Sequence, residues 1–175
     1  MENKYKVLLK SENIDYVEIN EILINDYLIM VNDENIQKSI SKKRRVFSYD
    51  DELNWINSKL EEKATVFSLI ERNTGQFIGN VELMNINNDS AEIGISITPA
   101  LQDKHYGTEA LRTVIDYGFN NMKLEEINLI VFSNNLRAIH CYKKLGFIEY
   151  KIDSNVTIID DKLVDDIYMR LKKWY

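Results

Sequence analysis

Apolar residues alternate with polar ones in some stretches of the chain and recur every three or four residues in others, and these two periods divide it into strands and helices. Tyr5 to Leu9 reads as a first strand, and the stretch from about Ile14 to Asn35, rich in isoleucine, leucine and tyrosine, as an irregular helix. Ser48 followed by Asp50, Asp51 and Glu52 supplies an N-cap with acids in the first turn, and Leu53, Trp55, Ile56 and Leu60 fall near one helical face, so a helix is expected there. Ala64 to Ile70 and Phe77 to Ile86 are apolar, β-branched runs joined by Asn73-Thr74-Gly75, the pattern of a hairpin. Asn87-Asn88-Asp89 turns the chain again into Ala91 to Ile97, and Pro99 ends that ladder, giving an antiparallel meander. From Gly107 to Met122, the residues Ala110, Leu111, Val114, Ile115, Phe119 and Met122 recur at helical spacing. A strand at Ile127 to Phe132, a helix from about Asn135 to Leu145, a strand at Phe147 to Ile152 and a closing strand near Ile167 to Leu171 follow. The expected class is α+β with a β-α-β-α-β second half.

Composition narrows the picture by exclusion. With 175 residues, a lone proline, six glycines and no repeat or low-complexity linker, the chain fits one domain over residues 1–175. It opens without an apolar run of signal-peptide length, and no segment approaches the ~18 apolar residues of a membrane span. A cytoplasmic protein without a membrane partner is expected. The sequences Asn88-Asp89-Ser90 and Asn155-Val156-Thr157 match the glycosylation pattern but have no consequence in that compartment. Cys141 is the single cysteine, and His105 and His140 are the two histidines, so neither a disulfide nor a metal cluster is expected. The net charge of -6 disfavours nucleic acid as a partner and favours a cationic one. The run Lys42-Lys43-Arg44-Arg45 reads as solvated loop.

The chemistry concentrates in two segments. Gln102-Asp103-Lys104-His105-Tyr106-Gly107 joins a strand directly to the helix that starts near Gly107. Free amides at a helix N-terminus, reinforced by the helix dipole, attract anions, and a glycine there lets phosphate oxygens approach the backbone. The chain has no G-x-x-x-x-G-K-[ST] and no G-x-G-x-x-G, which counts against ATP and NAD. Gln102-x-x-His105-x-Gly107, followed by Thr108-Glu109-Ala110, resembles the Q/R-x-x-G-x-G/A loop of the GNAT N-acetyltransferase family, with His105 replacing the middle glycine. The second segment is the more specific. Asn135-x-x-Ala138-x-x-x-Tyr142-x-Lys144-x-Gly146-Phe147 resembles that family's N-x-x-A-x-x-x-Y-x-K-x-G-F position for position.

The resemblance implies a mixed, mostly antiparallel central sheet of about six to seven strands flanked by helices, with a splayed pair of central strands holding acetyl-CoA. It implies cofactor contacts from Ile95, Ser96 and Ile97 of the central strand and from Gln102, Asp103, Lys104, His105, Tyr106, Gly107 and Thr108 of the loop. Asn135, Arg137, Ala138 and Tyr142 of the later helix complete the set. A backbone amide of Ile95 to Ile97 would bind the thioester oxygen, and Tyr142 would sit near the sulfur as general acid. With a thiol near pKa 8.5 and a tyrosine near 10, full proton transfer is uphill by about 1.5 units, or roughly 2 kcal/mol, so Tyr142 stabilises the thiolate more than it neutralises it. The competing reading of Tyr142 is a core aromatic sharing a face with Ala138, Ile139 and Leu145. Glu82 and Glu92, on adjacent central strands, are candidate bases, with solvent-facing positions or a water chain as the alternative.

Over about Gly79 to Phe147 the chain resembles the bacterial spermidine acetyltransferases and the ribosomal-protein N-terminal acetyltransferases. Val81-Glu82-Leu83 and the run from His140 to Phe147 are similar to the polyamine enzymes. The implied function is direct acetyl transfer to a primary amine, with spermidine-like polyamines as one acceptor class. A peptide N-terminus and a non-catalytic acetyl-CoA sensor are the alternatives, and a homo-oligomer is left open.

Overall fold

In the computed structural model, which describes residues 4–40 and 44–174, one sheet of eight strands runs in the order β1-β2-β3-β4-β5-β6-β8-β7. The strands are β1 (Val7–Lys10), β2 (Ile14–Glu18), β3 (Thr65–Glu71), β4 (Phe77–Met84), β5 (Ser90–Ile97), β6 (Glu126–Phe132), β7 (Ile148–Ile159) and β8 (Lys162–Lys172). Every neighbouring pair is antiparallel except β5 with β6. The helices are α1 (Ile24–Val31), α2 (Glu34–Ile40), α3 (Tyr49–Glu61), α4 (Tyr106–Asn120) and α5 (Leu136–Lys144).

Local sequence accounts for most of these elements. The Ser48 hydroxyl accepts from the Asp51 N–H at 3.2 Å, and the Asp51 carboxylate accepts from the Ser48 N–H at 2.8 Å, a reciprocal box that starts α3. The β3–β4 hairpin and the turn into β5 fall where the turn residues place them.

Two expectations need correction. The stretch from Ile14 is not helical throughout: Ile14–Glu18 is β2, and helix begins with a 3-10 turn at Glu21–Leu23. The strand is paired on both edges, with β1 and β3, and buried on both faces. Tyr16 packs on the core under α4 and Val17 on the core under α1 and α3, so alternation disappears and the run reads as helix. This strand brings the sheet to eight rather than six or seven. The strand expected at Phe147 to Ile152 starts at Ile148 and continues to Ile159, because β8 supplies a partner along that length. Of the basic run, Lys42 and Lys43 lie outside the described residues, while Arg44 pairs with Glu34 and Asp160 and Arg45 with Asp51.

The sheet separates two cores. Leu69, Val81 and Ile93 pack with Leu111 and Val114 of α4 on one side. Ile70 and Phe77 pack with Tyr27 of α1 and Ile56 of α3 on the other. One tether fixes the start of α4 against the first hairpin. The Glu109 carboxylate accepts from the Ser11 hydroxyl, from the Asn13 N–H at 2.7 Å and from the Asn13 side-chain amide at 3.0 Å. Burial pushes this carboxyl up, but the bonds from Ser11 and Asn13 outweigh it and hold it below its ordinary value. Glu109→Ala is therefore expected to destabilise the fold by about 2 kcal/mol at pH 7. A carboxyl depressed in the folded state stabilises above the unfolded pKa, and that contribution is lost as pH falls through the folded value. Urea unfolding of both proteins should show the difference at pH 7 and its shrinkage in acid.

Candidate active site

The parallel ladder between β5 and β6 holds only for Ser90 with Glu126, Ala91 with Ile127 and Glu92 with Asn128. Beyond it, Ile93–Ile97 keeps its pairing with β4 but, among the described residues, has no strand partner on the β6 side. The Thr98 N–H donates to the Ile78 carbonyl of β4 at 2.8 Å. Backbone groups alternate sides along a strand, so Ile95 and Ile97 turn their N–H and C=O toward the open side. The Gln102 side-chain amide donates to the Ile97 carbonyl at 2.9 Å there. The opening leads into a cleft of about 980 Å³ lined by Ile95, Ser96 and Ile97, among others.

Next along the chain comes the loop into α4. Asp103 (φ 59°) and His105 (φ 67°) both take the left-handed conformation. His105 thus adopts, with a side chain, the backbone shape that a glycine would take more easily, and the loop keeps its tight form. His105 makes no capping bond, and α4 begins at Tyr106 with no side chain capping its first-turn amides among the described residues. A Cβ added at Gly107 would meet only the Ile97 Cγ1, at 3.7 Å, an ordinary contact. Gln102, Asp103, His105, Gly107 and Thr108 line the cleft, whereas Lys104 is exposed and Tyr106 packs against the core, so neither lines it. The left-handed conformation of His105 costs about 1 kcal/mol. His105→Gly should raise stability by a comparable amount, read as a higher thermal midpoint.

On α5, Asn135 accepts from the Ala138 N–H at 3.2 Å and so caps its own helix while lining the cleft. Arg137 donates to the Gln102 side-chain carbonyl and reaches Asp103 at 3.5 Å, joining α5 to the loop. The Thr108 hydroxyl and the Cys141 sulfur meet at 3.3 Å, a second join between α4 and α5. Tyr142 reconciles the two readings of its sequence position. Its ring packs on the core and edge-on to Phe147 at 5.9 Å, yet the residue lines the cleft. Among the described residues its hydroxyl has no hydrogen-bond partner. Burial pushes the phenol up to about 12, with a smaller upward push from Cys141.

The two candidate bases separate. Glu82 on β4 lines the cleft, and its carboxylate accepts from the Lys59 ammonium of α3 at 2.7 Å. Glu92 lies where β5 and β6 are still paired, accepts from the Asn85 side chain at 3.0 Å and does not line the cleft. Sequence reasoning missed the wall that α3 supplies, with Glu52 and Trp55 lining the cleft and Lys59 reaching Glu82. It also missed Asn80, whose side-chain carbonyl accepts from buried Ser68 at 2.9 Å, and Tyr168 of β8. The parity of Asn80, Glu82 and Met84 along β4 was the available signal. Among the described residues no group of three metal-ligating side chains gathers, and no helix is long and apolar enough to cross a membrane.

Known proteins are similar to this chain in sequence and fold. A family model described as an acetyltransferase (GNAT) domain covers residues 19–148, most of the chain. The chain belongs to the GNAT family. Among relatives, the spermidine N(1)-acetyltransferase of Escherichia coli K12 is 44% identical over 75 residues, 42% of this chain and 40% of that enzyme. The chain thus spans well under half of that relative in the match. The spermidine N(1)-acetyltransferase of Vibrio cholerae is 28% identical over 130 residues, 73% of this chain and 72% of that one. Two solved structures share the GNAT fold. Vibrio cholerae spermidine N-acetyltransferase in complex with CoA and spermine superposes with a TM-score of 0.84 at 24% identity, covering 93% of this chain and 96% of that one. A GNAT acetyltransferase from Bacillus anthracis gives 0.82 at 21% identity, covering 94% and 97%.

Proposed function

We propose that this chain transfers an acetyl group from acetyl-CoA to a primary amine, and that the amine is a polyamine of the spermidine class. The observation that carries the transfer reading is the Tyr142 hydroxyl, without a hydrogen-bond partner among the described residues, in a cleft that opens between the free edge of β5 and the N-terminus of α4. The residues fit the cofactor: His105 does not cap α4, and a Cβ at Gly107 would come no closer than 3.7 Å to the Ile97 side chain, an ordinary contact. The amides of the first turn of α4 would hold the pyrophosphate, and bound acetyl-CoA supplies an activated acyl group with a thiolate leaving group.

The chain's own residues then have distinct tasks. The outward N–H of Ile95 or Ile97 stabilises negative charge on the carbonyl oxygen as the amine attacks. Tyr142 donates a hydrogen bond at the departing sulfur. Glu82, rather than Glu92, draws the proton from the acceptor ammonium, directly or through water, because Glu82 alone of the two lines the cleft. The net charge of -6 and the spermidine acetyltransferases among the relatives favour a cationic acceptor.

Thiol release from acetyl-CoA, followed with polyamines, aminoglycosides, amino acids and N-terminal peptides, tests this reading. Turnover confined to polyamines supports it. Turnover confined to peptides moves the acceptor to a protein N-terminus, and tight cofactor binding with no turnover on any amine replaces the enzyme with a sensor.

A further inference from the structure

The Lys59 ammonium of α3 donates to the Glu82 carboxylate at 2.7 Å, and the two side chains are only 22% and 25% exposed. The transfer mechanism assigns that same place, a hydrogen bond to the carboxylate that takes the proton, to the ammonium of the acceptor. A primary amine of the chain itself is therefore already held at the base. The carboxylate also lies beside the open edge of β5. Glu82 pairs with Gly94 across the β4–β5 ladder, and a Cβ added at Gly94 would stand 3.9 Å from the Glu82 Cγ. With glycine at 94, no side chain of that residue stands between the carboxylate and Ile95, whose N–H turns toward the cleft. Neighbouring strands are about 4.8 Å apart, a gap within reach of the flexible four-carbon stem of a lysine. Lys144 also lines the cleft, but no carboxylate holds it among the described residues, and α5 packs on the opposite face of the sheet from α3.

We propose that Lys59 is an intramolecular acceptor: with acetyl-CoA bound and no free amine at Glu82, the chain acetylates its own Lys59 Nζ. This activity rests on the acetyl-transfer reading and uses the same groups. Glu82 takes a proton from the Lys59 ammonium, and the freed amine attacks the carbonyl carbon of the acetyl thioester. The C–N bond forms, the C–S bond breaks, and its electron pair leaves on the sulfur, to which Tyr142 donates. The net products are acetyl-lysine at position 59, the free thiol of CoA and one proton, which Glu82 passes to solvent. A free amine bound at Glu82 displaces Lys59 and so protects it, which makes the modification a feature of the chain without acceptor.

The test incubates the purified chain with acetyl-CoA alone and follows acetyl incorporation by intact mass and by peptide mass spectrometry, beside thiol release with free amines. Incorporation should concentrate on Lys59, with a rate constant independent of protein concentration. It should slow at least about 100-fold in Tyr142→Phe and in Glu82→Gln. Spermidine at about ten times its Kd should slow it about tenfold by mass action. Lys59→Arg, which keeps a cation for Glu82 but offers no primary amine, should lose the modification. Turnover on a free amine with Lys59 left unmodified overturns self-acetylation and leaves the transfer reading standing. Neither turnover on any amine nor acetyl on Lys59, in a chain that binds acetyl-CoA, overturns both. Incorporation at equal rates on Lys59, Lys144 and exposed Lys10, or unaffected by Tyr142→Phe, is uncatalysed chemistry and overturns the proposal, as does a rate constant that rises with protein concentration.

Discussion

Tyr142→Phe is expected to lower kcat by about 100-fold to 10,000-fold, the range associated with removing a positioned general acid. The affinity for acetyl-CoA should remain close to wild type. The substitution keeps the ring and its edge contact with Phe147 and removes a hydroxyl that bonds to no described residue. Stability should therefore change by less than about 0.5 kcal/mol. The phenol at about 12 sharpens the chemical role. Against a thiol near 8.5 the gap becomes about 3.5 units, or roughly 5 kcal/mol, so in the proposed mechanism Tyr142 would donate a strong hydrogen bond to the sulfur while largely keeping its proton. The sign of the pH dependence follows. With its folded pKa raised, the group stays neutral and donating well above pH 10, where a free tyrosine would be half ionised. Rates measured up to pH 10 should show no descending limb from this residue. A Tyr142→Phe variant with wild-type kcat on a good acceptor would remove Tyr142 from the mechanism.

Gly107→Asp should separate cofactor binding from folding, because it pushes the two in opposite directions. A side chain at 107 meets only Ile97 at an ordinary distance, aspartate suits the first turn of a helix through the dipole, and losing a helical glycine is itself favourable. The protein is therefore expected to be more stable by about 0.5–1 kcal/mol. If the pyrophosphate sits on these amides, the new carboxylate faces it directly. A like charge at about 4 Å near a protein surface is worth about 4 kcal/mol, so affinity for acetyl-CoA should fall by at least about 100-fold. Calorimetric titration with CoA and a thermal melt read the two effects separately. Unchanged CoA affinity in the stabilised variant would place the phosphates elsewhere.

The elements with strong local signals were legible in the sequence. The Ser48 cap, the β3–β4 hairpin and the long period of α4 depend on residues within a few positions of one another. β2 was not, because one of its faces is covered by the core under α4 and the other by the core under α1 and α3, and a strand covered twice shows no alternation. At the site, the run ending in Gly146-Phe147 and the loop before α4 could be picked out as continuous motifs. The wall from α3 could not, and Glu82 and Glu92, both named from the sequence as candidate bases, could not be told apart, since the two are equivalent as letters and differ only in which surface each faces.

By itself, then, the amino-acid sequence determined that this protein carries a loop running directly into α4 and a tyrosine helix, each written in contiguous residues whose geometry is local. Tertiary structure decided the remainder. The ladder between β5 and β6 stops after Glu92, which keeps that carboxylate in the closed part of the sheet and opens the cleft beyond it. His105 takes the left-handed shape in place of a glycine because the strand before it and the helix after it are fixed by packing. The packing of α3 against α1 and its Lys59–Glu82 bond to β4 bring Glu52, Trp55 and Glu82 to one cleft. These outcomes depend on burial and on charge felt across long sequence separations, which only the packed chain establishes.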